Sequence, residues 1–338
     1  MGLIDDVNPS KKKAPRSTKA LAPAVTQLSH MMSQVAEEVR QVERLQSMSI
    51  NAACSNRAFH TKVELEGRLG TTNSQTGRFQ SGITEERFLA LLRILQGSTK
   101  WSQVMEETES CDVFFTIEIP SYHQKMQVRS TMIYKDHDLH VTHVIKKPMM
   151  SQCFVLSELK CEETTVECRQ LEPQTRIQAS YEVELPPRFL PLAVATEHVR
   201  IKRRHSFVYK SGHHDVAYQY DLTKVYAGTT RSEAEAHQRA GRATSFEVEV
   251  ECVVVADMLA NQRCRTQLAT SLLLKLVHLE CLLRPPSYEP GSSMVPGSKE
   301  TNGPQEISPN DTGIEDPVRK TTLPRALSWS TVLTLVPI

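Results

Sequence analysis

Phe246 to Val254 reads Phe-Glu-Val-Glu-Val-Glu-Cys-Val-Val, and the period of two in that stretch decides the fold. Successive side chains of an extended strand point to opposite faces, so Glu247, Glu249 and Glu251 share one face and Phe246, Val248, Val250 and Cys252 the other. Carboxylates two residues apart on one strand face stand about 7 Å from each other. Three in line repel one another unless cations sit among them.

Working outward, the same period recurs. Val63 to Leu69 sets Glu64, Glu66 and Arg68 opposite Val63, Leu65 and Leu69. Arg200 to Lys210 sets Arg200, Lys202 and Arg204 on one face, and Val216 to Tyr226 sets Gln219, Asp221 and Thr223 opposite Tyr218, Tyr220 and Leu222. Val128 to Tyr134 and Leu139 to Lys147 read as a hairpin around residues 135–138, bringing Arg129 from one arm and Lys147 from the other. Arg176 to Leu185 sets Glu182 and Glu184 opposite Ile177, Ala179, Tyr181, Val183 and Leu185. Hard carboxylate oxygens suit Mg2+ or Mn2+, and neighbouring Arg and Lys suit phosphate oxygens. Acidic and basic strands in one chain therefore describe a metal-phosphate site built on a sheet. His137, His140 and His143 are spaced like metal ligands, but steps of three on a strand alternate faces, and His213-His214-Asp215 reads as a solvated turn.

Helices flank this sheet. Thr84, Glu85 and Glu86 start one that runs through Phe88, Leu91, Leu92 and Leu95 to Gly97, and Leu268, Leu272, Leu276 and Leu279 mark another ending before Pro285. Val25, Leu28, Met32, Val35, Val39 and Val42 form a helical seam that either packs on the domain or pairs with a second copy. The chain divides into a disordered basic arm at 1–22, that helix within 23–56, a globular domain at 57–284 and a tail at 285–338 that holds half of the 18 prolines. Lys11, Lys12, Lys13, Arg16 and Lys19 give the arm a composition compatible with nuclear import.

A net charge of +1 over 338 residues argues against coating nucleic acid through a broad basic face. The eight cysteines form no Cys-x-x-Cys pair and read as reduced thiols. No apolar run reaches the roughly 18 residues of a membrane helix, so no membrane partner is expected.

Val-Glu-Leu-Glu-Gly-Arg-Leu-Gly at 63–70, Val-Arg-Ser-Thr at 128–131, Ile-Lys-Lys at 145–147, Glu-Leu-Pro at 184–186, Arg-Ile-Lys-Arg-Arg-His-Ser-Phe at 200–207, Tyr-Asp-Leu-Thr-Lys-Val at 220–225 and the opening acidic strand follow one another in order. That set resembles the metal-dependent RNA 5'-triphosphatases of fungi, protozoa and some viruses, in the triphosphate tunnel metalloenzyme family. The resemblance covers residues 60–255. It implies an α+β fold: an eight-stranded antiparallel β-barrel forming a tunnel with a charged interior and helices packed outside. A polar lumen of that kind is tolerable only where opposite charges, metal and anion satisfy one another.

By resemblance, Glu64, Glu66 and Glu251 are direct metal ligands, and Glu249 and Glu184 act through water, with Glu247 beside them on the acidic strand. Arg129, Lys147, Arg200, Lys202 and Arg204 hold the triphosphate, and Asp221 orients basic side chains. Gln219 departs from the arginine common at its position, which puts the usual partner of Asp221 in doubt. Arg68, where the cyclase and thiamine-triphosphatase branch carries lysine, leans toward the capping branch. The implied activity is Mg2+- or Mn2+-dependent removal of the γ-phosphate from the triphosphate end of nascent RNA in the nucleus. A capping guanylyltransferase or RNA polymerase II would be the partner. An enzyme acting on free NTP or inorganic triphosphate would share the same γ-phosphate site, and a non-catalytic barrel would have no reason to keep its charges.

Overall fold

Strand β9 (Ser245–Val254) pairs with β8 (Ala217–Gly228) on one side and β1 (Thr61–Thr72) on the other, and this double pairing closes the sheet. Between them run β6 (Gln174–Glu184), β5 (Asp138–Val155), β4 (Gln124–Lys135), β3 (Gln103–Ile119) and β7 (Thr196–Lys210), all antiparallel. Eight strands therefore form a closed barrel, with a short β2 (Phe79–Ser81) added outside the ring on β1. The computed structural model describes residues 17–53, 61–73, 75–119, 124–135, 138–156, 174–185, 195–210, 216–254 and 256–283. Residues 1–16 of the expected arm, the expected tail, His137 and the His213-His214-Asp215 turn lie outside them.

Alternation sorts each strand as the sequence pattern requires. Val63, Leu65 and Leu69 of β1, Ile177, Ala179 and Tyr181 of β6, Tyr218, Tyr220 and Leu222 of β8, and Val248, Val250 and Cys252 of β9 all turn outward and are buried. The helices bury them. In α5 (Gln262–Leu282), Leu268, Leu272, Leu276 and Leu279 face the barrel, and α2 (Glu85–Gln96) adds Phe88, Leu91 and Leu95. Helix α5 sits so close to β1 that a Cβ on Gly67 would stand 2.5 Å from Leu276 Cδ1, so glycine permits the approach. The seam in α1 (Ser17–Ala53) packs Leu21, Val25, Leu28, Met32, Val35 and Val39 into the same core, against α5 and the short α4 (Ala256–Ala260). Each such apolar side chain contributes about 1.5–3 kcal/mol on burial, so the outside of the barrel carries the hydrophobic stabilisation.

Besides the short β2 and α4, two elements fall outside the sequence expectation. Strand β3 pairs with both β4 and β7, and α3 (Arg231–Arg239), capped by the Thr230 hydroxyl accepting from the Glu233 amide, covers β8. A second apolar cluster on the outer face joins Phe115, Ile117, Val128 and Ile145. No helix among the described residues is long and apolar enough to cross a membrane.

Candidate active site

The inward faces of the eight strands bring the acidic and basic rows together. Glu66 lies directly opposite Glu251 across the β1–β9 seam and Arg68 opposite Glu249. Asp221 in turn lies opposite Glu249 across β8–β9. Arg68 bridges the wall, its Nε 2.9 Å from Glu249 Oε1 and its Nη2 3.3 Å from Glu66 Oε2. Arg204 on β7 reaches Asp221 Oδ2 at 2.8 Å and Glu249 Oε2 at 3.8 Å, and Arg200 reaches Glu247 Oε1 at 2.6 Å. Lys202, between them, is ion-paired with Asp112 of β3, which also accepts from the Thr131 hydroxyl at 2.8 Å.

Of the two lysines in Ile-Lys-Lys, the structure turns Lys146 inward and leaves Lys147 exposed on the outside. The β4–β5 register explains the difference. Arg129 pairs with Val144, so Lys146, two residues on, shares the inward face of Arg129, and Lys147 faces away. The Nζ of Lys146 is 2.9 Å from Glu64 Oε2, 3.2 Å from Glu66 Oε2 and 3.4 Å from Glu182 Oε1. Glu182 also receives Arg129 at 3.3 Å and Lys62 at 3.2 Å, and Lys62 pairs with Glu64 as well. Glu184 shares the inward face of Glu182 but lies exposed at the end of β6. Lys62, Asp112 and Lys146, which the sequence pattern does not mark, thus complete the network together with Glu182, which spacing places on one face with Glu184 while the resemblance selects Glu184 and Lys147.

Gln219 fills the arginine position by donating from Nε2 to Asp221 Oδ1 and Oδ2 at 3.0 and 3.1 Å. The Ser206 hydroxyl donates to the same Oδ1 at 2.6 Å, so the fully buried Asp221 keeps several donors without that arginine. The histidines do not converge: His140 is on the inward face, whereas His143 faces outward and hydrogen-bonds Ser130.

The electrostatics divide the lumen. Burial alone would raise Glu249, but Arg68, Arg204, Lys202 and Arg200 hold its carboxyl at about 2. Burial would likewise raise Glu64, and Lys146 and Lys62 hold it at about 2. Glu251 goes the other way: its own desolvation, then Glu64 and Asp221, push it up to about 8. Lys202 is drawn below the usual lysine value by burial and by Arg204, Arg200 and Arg129, against the pull of Asp112. Crowded cations on β4 and β7 favour a multivalent anion among them.

On the facing wall, Glu66 Oε1 is buried with no hydrogen-bond partner among the described residues. That oxygen and the charge-starved Glu251 opposite it fit a divalent cation, which supplies positive charge to hard oxygen donors. Among the described residues no three carboxylates or imidazoles already form a cation cage, since Lys146 and Lys62 lie among Glu64, Glu66 and Glu182.

The sequence profile of one family, mRNA_triPase, described as mRNA capping enzyme, beta chain, matches residues 50–271. No curated protein is significantly similar to the chain in sequence. Similar solved structures include the S. pombe Pct1 RNA triphosphatase, with 16% identity over 84% of this chain and 98% of that one, at a TM-score of 0.44. Pct1 in complex with the Spt5 CTD gives 16% identity over 81% and 96%, at 0.43. The RNA triphosphatase domain of a trifunctional mimivirus mRNA capping enzyme gives 12% identity over 71% and 95%, at 0.38.

Proposed function

Because this chain belongs to the mRNA capping enzyme, beta chain family and is an RNA 5'-triphosphatase, we propose that the barrel lumen is where the γ-phosphate of 5'-triphosphate RNA is hydrolysed. The single observation that carries this reading is geometric: Arg129, Arg200, Lys202 and Arg204 crowd one side of the lumen and face a carboxylate wall.

Arg200, Lys202 and Arg204 bind the triphosphate oxygens from β7, joined by Arg129 and Lys146 across the tunnel. Their carboxylate partners keep these donors oriented before substrate arrives, so little reorganisation is left for the reaction itself. Glu64, Glu66 and Glu251 would hold Mg2+ or Mn2+, which supplies a Lewis acid that neutralises charge on phosphoryl oxygens. Arg68 and Arg204 hold Glu249 ionised, so it meets the attacking water as a carboxylate. Its role is to orient the attacking water by accepting a hydrogen bond. The water oxygen bonds to the γ-phosphorus as the γ–β phosphoanhydride breaks, the electron pair of the broken bond staying on the β-phosphate oxygen and the water protons leaving with the phosphate, so that phosphate and a 5'-diphosphate end remain. Asp221 and Glu247 position Arg204 and Arg200, and Glu184 stands where the tunnel meets solvent.

The nascent transcript is the macromolecular partner. Capping on new transcripts puts the protein in the nucleus, beside a guanylyltransferase or RNA polymerase II. Release of phosphate from γ-labelled triphosphate RNA, measured with Mg2+, with Mn2+ and with EDTA, tests the reading, with ATP as a competing substrate. Release that requires metal and prefers RNA supports it. Turnover of ATP with none of RNA would make the chain a free-nucleotide enzyme.

A further inference from the structure

Phe114 sits in a place an apolar side chain does not need to occupy. Its neighbours Val113 and Phe115 turn outward into the apolar cluster with Ile117, Val128 and Ile145. Phe114 takes the opposite face. It lies directly opposite Arg129 on β4 and opposite His198 on β7, and His198 shares the face of Arg200, Lys202 and Arg204. Both rings therefore line the charged interior, and each is half-buried. Their centroids are 5.8 Å apart and their planes 38° from each other, leaving a ring surface beside the cations. Each stands two residues beyond a charged group, Asp112 on β3 and Arg200 on β7, or about 7 Å further along its strand.

We infer that Phe114 and His198 form a stacking platform for the first nucleobase of the RNA, at the end of the tunnel where β3 finishes and β7 begins. The inference rests on the triphosphatase reading and adds to it which end of the tunnel the nucleoside occupies. A triphosphate gripped by Lys202 and Arg204 passes Arg200 before its nucleoside reaches the rings. Every base presents a π face, so stacking on an aromatic side chain accepts any first base, as an enzyme acting on many transcripts requires. Inorganic triphosphate has no base and does not use the platform.

Steady-state kinetics of Phe114→Leu and Phe114→Tyr on triphosphate RNA and on inorganic triphosphate, with metal, test this. Leucine is expected to raise KM for RNA about tenfold or more, to leave kcat for RNA within about twofold, and to leave inorganic triphosphate unchanged; tyrosine is expected to behave as wild type. Unchanged triphosphate turnover also shows that the variant is folded. If Phe114→Leu does not fold, His198→Leu reads the same platform from β7. A triphosphate RNA carrying 2-aminopurine at its first position gives a readout independent of turnover, its fluorescence quenched by wild type and not by the leucine variant. Equal losses on RNA and inorganic triphosphate, or unchanged KM and quenching, overturn the inference while leaving the triphosphatase reading intact. A wild-type protein idle on RNA removes the reading and the inference together.

Discussion

The two faces of strands β1 and β9 lie a side chain apart and obey opposite rules. Outside, Val63, Leu65, Val248, Val250 and Cys252 are sealed under α5 and its neighbours. Inside, Glu64, Glu66, Glu249 and Glu251 share a space with Arg68, Lys62 and Lys146. The outer face stabilises by removing apolar area from water. The inner face holds charges whose desolvation consumes much of what their pairing returns. Stability and chemistry are thus divided between two sides of one wall, and a substitution should damage one without the other.

The largest break in that comparison comes from the acids. Glu66→Ala and Glu251→Ala are expected to abolish phosphate release at limiting metal while the melting temperature in EDTA stays level or rises, because the first removes an anion from a repulsive row and the second removes a buried carboxyl that desolvation and its acidic neighbours disfavour. Near-normal turnover at limiting metal would remove the residue from the ligand set. Next comes the pair that sequence spacing leaves ambiguous. Lys146→Ala should slow hydrolysis about 10²-fold, whereas Lys147→Ala, on the outer side of the same strand, should be within about 0.5 kcal/mol of wild type in stability and unchanged in rate. Comparable rates for the two variants would contradict the inward assignment of Lys146.

The outer face should show the converse. Leu272→Ala, in the fully buried contact of α5 with the barrel, is expected to lower stability by about 2–5 kcal/mol and leave kcat unchanged at temperatures where the variant is folded. Chemical denaturation and turnover on the same sample check both halves. The smallest effect is in pH. The carboxyl of Glu251 lies at about 8 in the fold, above its usual 4.5. Its contribution to stability in EDTA is therefore fully present below about 4.5 and lost as pH rises through about 8. Glu251→Gln should flatten that part of the stability profile, and an unchanged slope between pH 5 and 8 would assign it to another group.

Legibility in the sequence follows the same division. Strands with one charged and one apolar face announce themselves by their period, which is why β1, β7, β8 and β9 could be read with their facing correct. Ile145-Lys146-Lys147 offers a lysine of either parity, and only the pairing of Arg129 with Val144 chooses between them. Strand β3 carries Phe114 and Phe115 on opposite faces, so its period is blurred and Asp112 is not marked as inward. Lys62 pairs with Glu64 two residues along its own strand, but its second partner, Glu182, is fixed only by the β1–β6 register. Glu182 itself falls on the inward face by alternation, yet nothing local distinguishes it from Glu184.

The central claim is that direction into the lumen, rather than charge, makes a side chain part of the chemistry, and adjacent arginines on β7 test it most directly. Arg204 points inward to Asp221 and Glu249, and Arg203 outward to Glu107 and Glu109. Glutamine at either position removes one charge, and at 204 it keeps a donor for Asp221. Phosphate release from γ-labelled triphosphate RNA should fall about 10²-fold in Arg204→Gln and stay within about twofold of wild type in Arg203→Gln, whose two pairs are partly exposed and weak. Equal losses in the two variants, with both shown folded by thermal melts, would contradict the account.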